Sequence, residues 1–131
     1  MTKISLPLFV MIPRKTKPDR KVILNLNVYR NLHHRTEHQA KKLYTAIVLK
    51  KLSGKKFKTP INLIFTYYKP TARKSDRANV LCIHEKYFCD TMVQSGCIED
   101  DNDNYIQSSF YVGGEIDRVN PRVEVTIDET S

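Results

Sequence analysis

The chain has 131 residues, 40% of them apolar and 27% charged, which suits one domain around one core and excludes the composition of a disordered chain. Its net charge of +8 is unevenly spread: residues 1–98 hold 20 Lys and Arg against 5 Asp and Glu, while residues 99–131 hold 2 against 9. The three cysteines, Cys82, Cys89 and Cys97, form no Cys-x-x-Cys pair, which argues against a disulfide framework and a cysteine zinc site, and no apolar run approaches the ~20 residues of a membrane span.

Taken in chain order, Ile4–Met11 reads as one β-type run in which Pro7 marks an edge position or a bulge. No small-residue cleavage site follows it, so a strand is expected there rather than a signal peptide. Residues 13–21 form a polar, basic loop. Residues 24–31 alternate apolar residues with turn formers and are open between strand and helix. From Thr36 to Leu52 the pattern becomes helical, with Ala40, Leu43, Tyr44, Ile47 and Val48 on one stripe and Lys41, Lys42, Lys50 and Lys51 off it. Ser53-Gly54 ends that helix. Ile61–Tyr68, rich in β-branched and aromatic residues, is expected as a central strand. A second helix starts near Asp76 as N-cap, runs to Gln94 and stops at Ser95-Gly96. After the acidic turn Glu99–Asn104, strands are expected over Tyr105–Val112 and Arg122–Ile127. The order β-α-β-α-β-β predicts an α+β fold, a single domain over residues 1–131 with a small mixed sheet and two main helices.

The second helix carries the residues with the most chemical content. At about 100° per residue, Val80, Leu81, His84, Tyr87, Phe88 and Met92 share a broad core face, and Asn79, Lys86 and Asp90 share another stripe. Asp76 lies at the helix start, and Asp100 and Asp101 lie just past its end. Several carboxylates brought together would suit magnesium, which takes oxygen ligands and keeps several waters. Lys86 would offset their repulsion or meet a phosphate oxygen. A plainer reading stands beside this one: Asp76 only caps the helix, Lys86–Asp90 is an ordinary i,i+4 pair, and Glu99–Asn104 is a solvated turn. An EF-hand reading of residues 101–104 fails, because the Gly and Glu that its loop requires are missing. His33, His34 and His38 beside Arg35 read as a solvated basic helix start, Tyr67 and Tyr68 as strand packing with base stacking as the alternative, and Cys82 and Cys89 as buried fillers. The excess of Lys and Arg through residue 98 suits a polyanion partner, since neutralising phosphates releases counterions.

Residues 76–101 resemble the RusA-type Holliday-junction resolvases of phages and prophages. That family carries Asp-x-Asp-Asn, then a Lys, an Asp four residues later and Asp-Asp some ten residues beyond. Here Asp76 and Asn79 match the first motif, and Lys86, Asp90 and Asp100-Asp101 keep the later spacing. The flanks are also similar: an N-terminal strand, a basic loop containing Asn25 and Asn27, a first helix, and a closing strand over 121–125. Two departures stand out. Ala78 replaces the second Asp of the first motif, and the interval from Asn79 to Lys86 is four residues longer, about one helical turn. Glu85 or Asp90 could rotate into the gap, or Asn79 could serve as a neutral ligand.

The resemblance implies a homodimeric endonuclease that resolves four-way or other branched DNA, with magnesium as cofactor and manganese as the alternative ion. It implies Asp76, Asp100 and Asp101 as metal ligands, Asp90 in support and Lys86 steadying the developing charge. DNA backbone contacts are then expected from Arg14, Lys15, Lys17, Arg20, Lys21, Arg30, Lys55, Lys56, Arg73, Lys74 and Arg77. The expected place of action is the cytoplasm of a bacterial host, with no membrane partner. The alternative is the same fold kept for binding DNA or a protein partner, with cleavage lost through Ala78.

Overall fold

The computed structural model of the chain describes residues 1–129. It is α+β: a mixed four-stranded sheet, a separate two-stranded hairpin and three helices. Strands β1 (Thr2–Leu6), β6 (Arg122–Glu129), β4 (Ile61–Tyr68) and β5 (Ile106–Gly113) form the sheet in the order β1-β6-β4-β5, and β2 (Phe9–Ile12) pairs with β3 (Arg20–Ile23) in the hairpin. The helices are α1 (Leu26–Asn31), α2 (His34–Leu52) and α3 (Arg77–Ser95).

The sheet is antiparallel except at β4–β5, and α3 is the crossover that this parallel pair requires. Register explains which face is covered. Leu63, Phe65 and Tyr67 of β4 stand opposite Ile127, Val125 and Val123 of β6, which in turn stand against Ile4 and Leu6 of β1. These residues, Tyr67 excepted, are buried, and α3 packs on β4 and β5, its Phe88 ring meeting Phe65 edge to face. Alternate residues of β4 are only half-buried, so the strand lies inside the sheet, as expected, with one face covered by helix. Helix α2 packs on α3 through Ala40, Tyr44, Val48 and Leu52 and meets the hairpin, whose Val10, Ile12 and Val22 point inward.

Several expectations need correction. The N-terminal run is two strands in different sheets, because Pro7 cannot donate to a ladder and the chain turns there. β1 is an edge strand, the position that Pro7 suggested. The basic loop is shorter than read, since Arg20 and Lys21 belong to β3. The ambiguous stretch resolves into a helix because the Asn25 side chain accepts from the Val28 N–H at 2.8 Å and caps α1. Ile47 is exposed and Leu43 and Val80 are half-buried, so the core stripes are narrower than the periodicity suggested. Helix α3 begins and ends where expected: Asp76 Oδ1 accepts from the Ala78 N–H at 3.0 Å, and Gly96 takes the left-handed conformation at φ 81° that favours glycine. All three cysteines are free thiols.

Candidate metal and nucleic-acid site

The C-terminal half of α3, the turn that follows it and the start of β5 enclose an open depression of about 460 Å³. α3 contributes Glu85, Lys86, Cys89 and Asp90, the turn contributes Asp101 and Asp103, and β5 contributes Gln107, Ser108 and Ser109. Helical spacing brings Glu85, Cys89 and their neighbours to one side, and the crossover back to β5 lays the acidic turn across the same opening. The local field is negative. Burial, together with Glu85, Asp101 and Asp90 nearby, pushes the Cys89 thiol up to about 12. Burial and a hydrogen bond donated to Glu85 Oε1 likewise raise the Tyr111 phenol well above its ordinary range.

The carboxylates differ in how they are held. Tyr111 engages Glu85. Asp90 pairs with Lys41 of α2 at 2.7 Å, not with Lys86 one turn away on its own helix. Asp101 lines the opening, whereas Asp100 is tied into the turn, its Oδ1 accepting from the Asp101 N–H at 2.8 Å and its Oδ2 from Asn102 Nδ2 at 3.2 Å. The remaining predicted ligand stands elsewhere. Asp76, as N-cap, lines a second depression with Asn27, Arg30, Ala78, Asn79 and Cys82. Fourteen helical rises separate Asp76 from Asp90, roughly 20 Å along the axis. Asn79 Oδ1 accepts from the Asn27 N–H at 3.2 Å, which fastens α1 to α3. Periodicity therefore put Asn79, Lys86 and Asp90 on one stripe but did not separate them along its length.

Among the described residues, no three His, Cys, Asp or Glu side chains converge closely enough to form a ready-made metal cage. The donors around the Asp101 depression are nevertheless almost all oxygen, and magnesium needs only one or two direct carboxylates while keeping its waters. The carboxylates on this depression, Asp101, Glu85, Asp90 and Asp103, are of the oxygen-donor type that the ion takes, and of the expected trio Asp76, Asp100 and Asp101 only Asp101 lines it. Gln107, Ser108 and Ser109 escaped the sequence reading, which took Asp103 only as part of an acidic turn and Lys41 only as a cation off the stripe of its helix. Two adjacent serines in a strand were a faint signal; the approach of Lys41, 49 positions from Asp90, left none.

The predicted DNA-contacting cations are exposed but do not form one patch. Arg14, Lys15 and Lys17 occupy the hairpin tip, where Arg14 Nε donates to the Pro18 carbonyl at 2.8 Å, and Arg20 and Lys21 lie on β3. Arg73, Lys74 and Arg77 stand where β4 hands over to α3, and Arg30 lines the nearby Asp76 depression. Lys55 and Lys56 belong to the opposite end of α3, since the Phe57 N–H after them donates to the Cys97 carbonyl at 3.1 Å. A partner touching both ends would span roughly 28 Å, the length of the 19-residue helix. Among the described residues, no helix is long and apolar enough to cross a membrane.

A comparison with models of known protein families finds no match, and a comparison with curated proteins finds none either.

Proposed function

We propose that the chain is a magnesium-dependent endonuclease acting on four-way or otherwise branched DNA inside a bacterial cell, and that it works as a homodimer. The observation that carries this reading is the gathering of Glu85, Lys86, Asp90, Asp101 and Asp103 around one open depression on an otherwise basic chain. The resemblance of residues 76–101 to the RusA-type resolvases supports it, and so does the excess of cations over residues 1–98.

In this reading Asp101 and the carboxylates beside it hold the ion. When bound, magnesium would polarise the scissile phosphate and favour ionisation of an attacking water. Lys86, on the rim, offsets the charge that builds on the phosphate oxygens. Ser109 offers a hydroxyl to the same opening, while Ser108 beside it donates its own to Asn62 Oδ1. The separated cations of the hairpin and of both ends of α3 grip backbone phosphates, which gives affinity and orientation without reading sequence. A two-fold dimer would present two equivalent sites, as paired nicks across a symmetric junction require.

A second reading is favoured by one local arrangement: Ala78 removes a family carboxylate, Asp76 is engaged as a cap, and Lys41 already neutralises Asp90. On that reading the fold binds branched DNA without cutting it.

Cleavage of an end-labelled synthetic four-way junction, with and without magnesium and beside a linear duplex, separates the two. Paired magnesium-dependent nicks near the crossover, absent from an Asp101→Asn variant, are the expected result. Tight junction binding with no cleavage in magnesium or manganese would leave the non-catalytic reading.

A further inference from the structure

The hairpin turns three large apolar side chains outward. Phe9, Met11 and Ile23 are 42%, 42% and 48% exposed, while Val10, Ile12 and Val22 of the same strands are buried. Phe9 pairs with Ile23 and Met11 with Lys21, so the outward face is a small apolar patch with a cation at one corner. Lys21 Nζ sits 4.3 Å from the centre of the Phe9 ring. Beside this patch lies a cavity of about 330 Å³ between the hairpin, the end of β4 and the start of α3. Its walls are Phe9, Ile23, Tyr67, Pro70, Val80 and Pro121, with Lys21 and Asn25 as polar groups.

This cavity lies within the size range of small-ligand sites, ~300–1,000 Å³, and shares their make-up of apolar walls with a few polar groups. A flat ring with a hydrogen-bonding edge suits such a lining. The charge around it selects the source of that ring. Among the described residues no carboxylate lines the cavity, Arg20 adjoins Lys21 on β3, and Lys69, Arg73 and Lys74 flank or follow Pro70 in the turn after β4. A second copy of the chain is a poorer occupant, because two-fold apposition of this patch would bring Arg20 and Lys21 of both copies together.

We infer that the cavity between the hairpin and β4 takes an unpaired nucleobase, with Phe9 and Tyr67 as its aromatic walls and Lys21 and the 69–74 turn holding the adjoining phosphates. The inference rests on the DNA-binding reading and adds to it a preference for unstacked bases, reached by contacts with the ring rather than by phosphate charge. Ring stacking tolerates any base, so the preference is for structure and not for sequence.

The test uses a duplex with a single unpaired 2-aminopurine and the same duplex fully paired. The full-length protein should bind the bulged duplex about tenfold more tightly, the scale of one stacked base, and change the probe's fluorescence. Phe9→Ala and Ile23→Ala, both at exposed positions, should lose that preference and the fluorescence change while still binding paired DNA. Equal binding to both duplexes with no fluorescence change would overturn the cavity assignment and leave DNA binding intact. Failure to bind either duplex at low salt would overturn the DNA reading itself. A dimer that dissociates on Phe9→Ala, with DNA preference unchanged, would assign the patch to a second copy and also overturn the inference.

Discussion

Lys41 Nζ on α2 stands 2.7 Å from Asp90 Oδ2 on α3, which places a cation against one of the carboxylates of the candidate metal site. The same ammonium lies 5.8 Å from the centre of the Tyr87 ring, and the Tyr87 hydroxyl donates to Glu37 at 2.8 Å, so the contact belongs to a polar strip between the two helices. Both partners of the pair are a third or more exposed, which limits what it contributes to stability. Its larger consequence is electrostatic, because removing Lys41 leaves Asp90 free to face a divalent ion.

Lys41→Met should therefore shift folding stability by less than about 1 kcal/mol in urea denaturation. The same variant should bind Mn²⁺ several-fold more tightly in a water-proton relaxation titration. A loss of more than about 2 kcal/mol, outside the range of exposed pairs, would show that the pair is structural and that its role beside the carboxylates is incidental.

Asp76 should behave as a cap and not as a ligand. Asp76→Ala should cost about 1 kcal/mol, the usual loss on removing a capping oxygen, while Asp76→Asn, which keeps that oxygen, should cost little. Both should cleave junction DNA like the parent chain once stability is matched. Loss of cleavage in a fully folded Asp76→Asn protein would return this carboxylate to the metal site.

His84 predicts a specific pH dependence. It is fully buried, with no hydrogen-bond partner for either ring nitrogen among the described residues, and burial lowers its pKa to about 3. Between about 6.5 and about 3 the unfolded chain takes up a proton that the folded chain refuses. Stability from this group is thus complete above about 6.5, falls as the pH drops through that window, and levels off below it. His84→Leu, of similar size and without ring nitrogens, should flatten the fall between pH 6.5 and 4 when urea midpoints are compared. Parallel slopes for the two proteins would contradict the assignment.

Gly114 has a close neighbour that Gly113 lacks. A Cβ at Gly114 would lie 2.9 Å from Thr66 Cγ2 and from two atoms of the Tyr68 ring, whereas one at Gly113 meets nothing within 4 Å. The Tyr68 ring has little room to retreat, because the Arg122 guanidinium stacks on it at 4.1 Å. Gly114→Ala should cost about 1–3 kcal/mol, as overpacking does, and Gly113→Ala about 0.5 kcal/mol or less, as for an open surface site. Thermal unfolding of the two variants side by side checks the contrast, and equal losses would contradict it.

What the sequence determined by itself is what depends on neighbours along the chain. The limits of α3 follow from the Asp76 cap and from Gly96, the interior place of β4 from its apolar run, and the buried face of α3 from 3.6-residue periodicity; all are present in the structure. The α+β class followed from the order of those elements. Local pattern was silent wherever the outcome depended on pairing across long separations. Residues 20–23 become a strand because β2 lies beside them, and Ile47 stays exposed because the partners of α2 cover only part of its stripe.

The candidate site divides along the same line. Lys86, Asp90 and Asp101 were legible as chemistry-bearing residues on a shared helix and turn, and the fold brings them to one opening. Packing, which no local pattern encodes, puts Asp76 in a different depression from Asp101, turns Asp100 back into its own loop, and brings Asp103 and the serines of β5 to the carboxylates. Periodicity specifies the angle around a helix axis, but distance along that axis and the approach of Lys41 from another helix are set by packing.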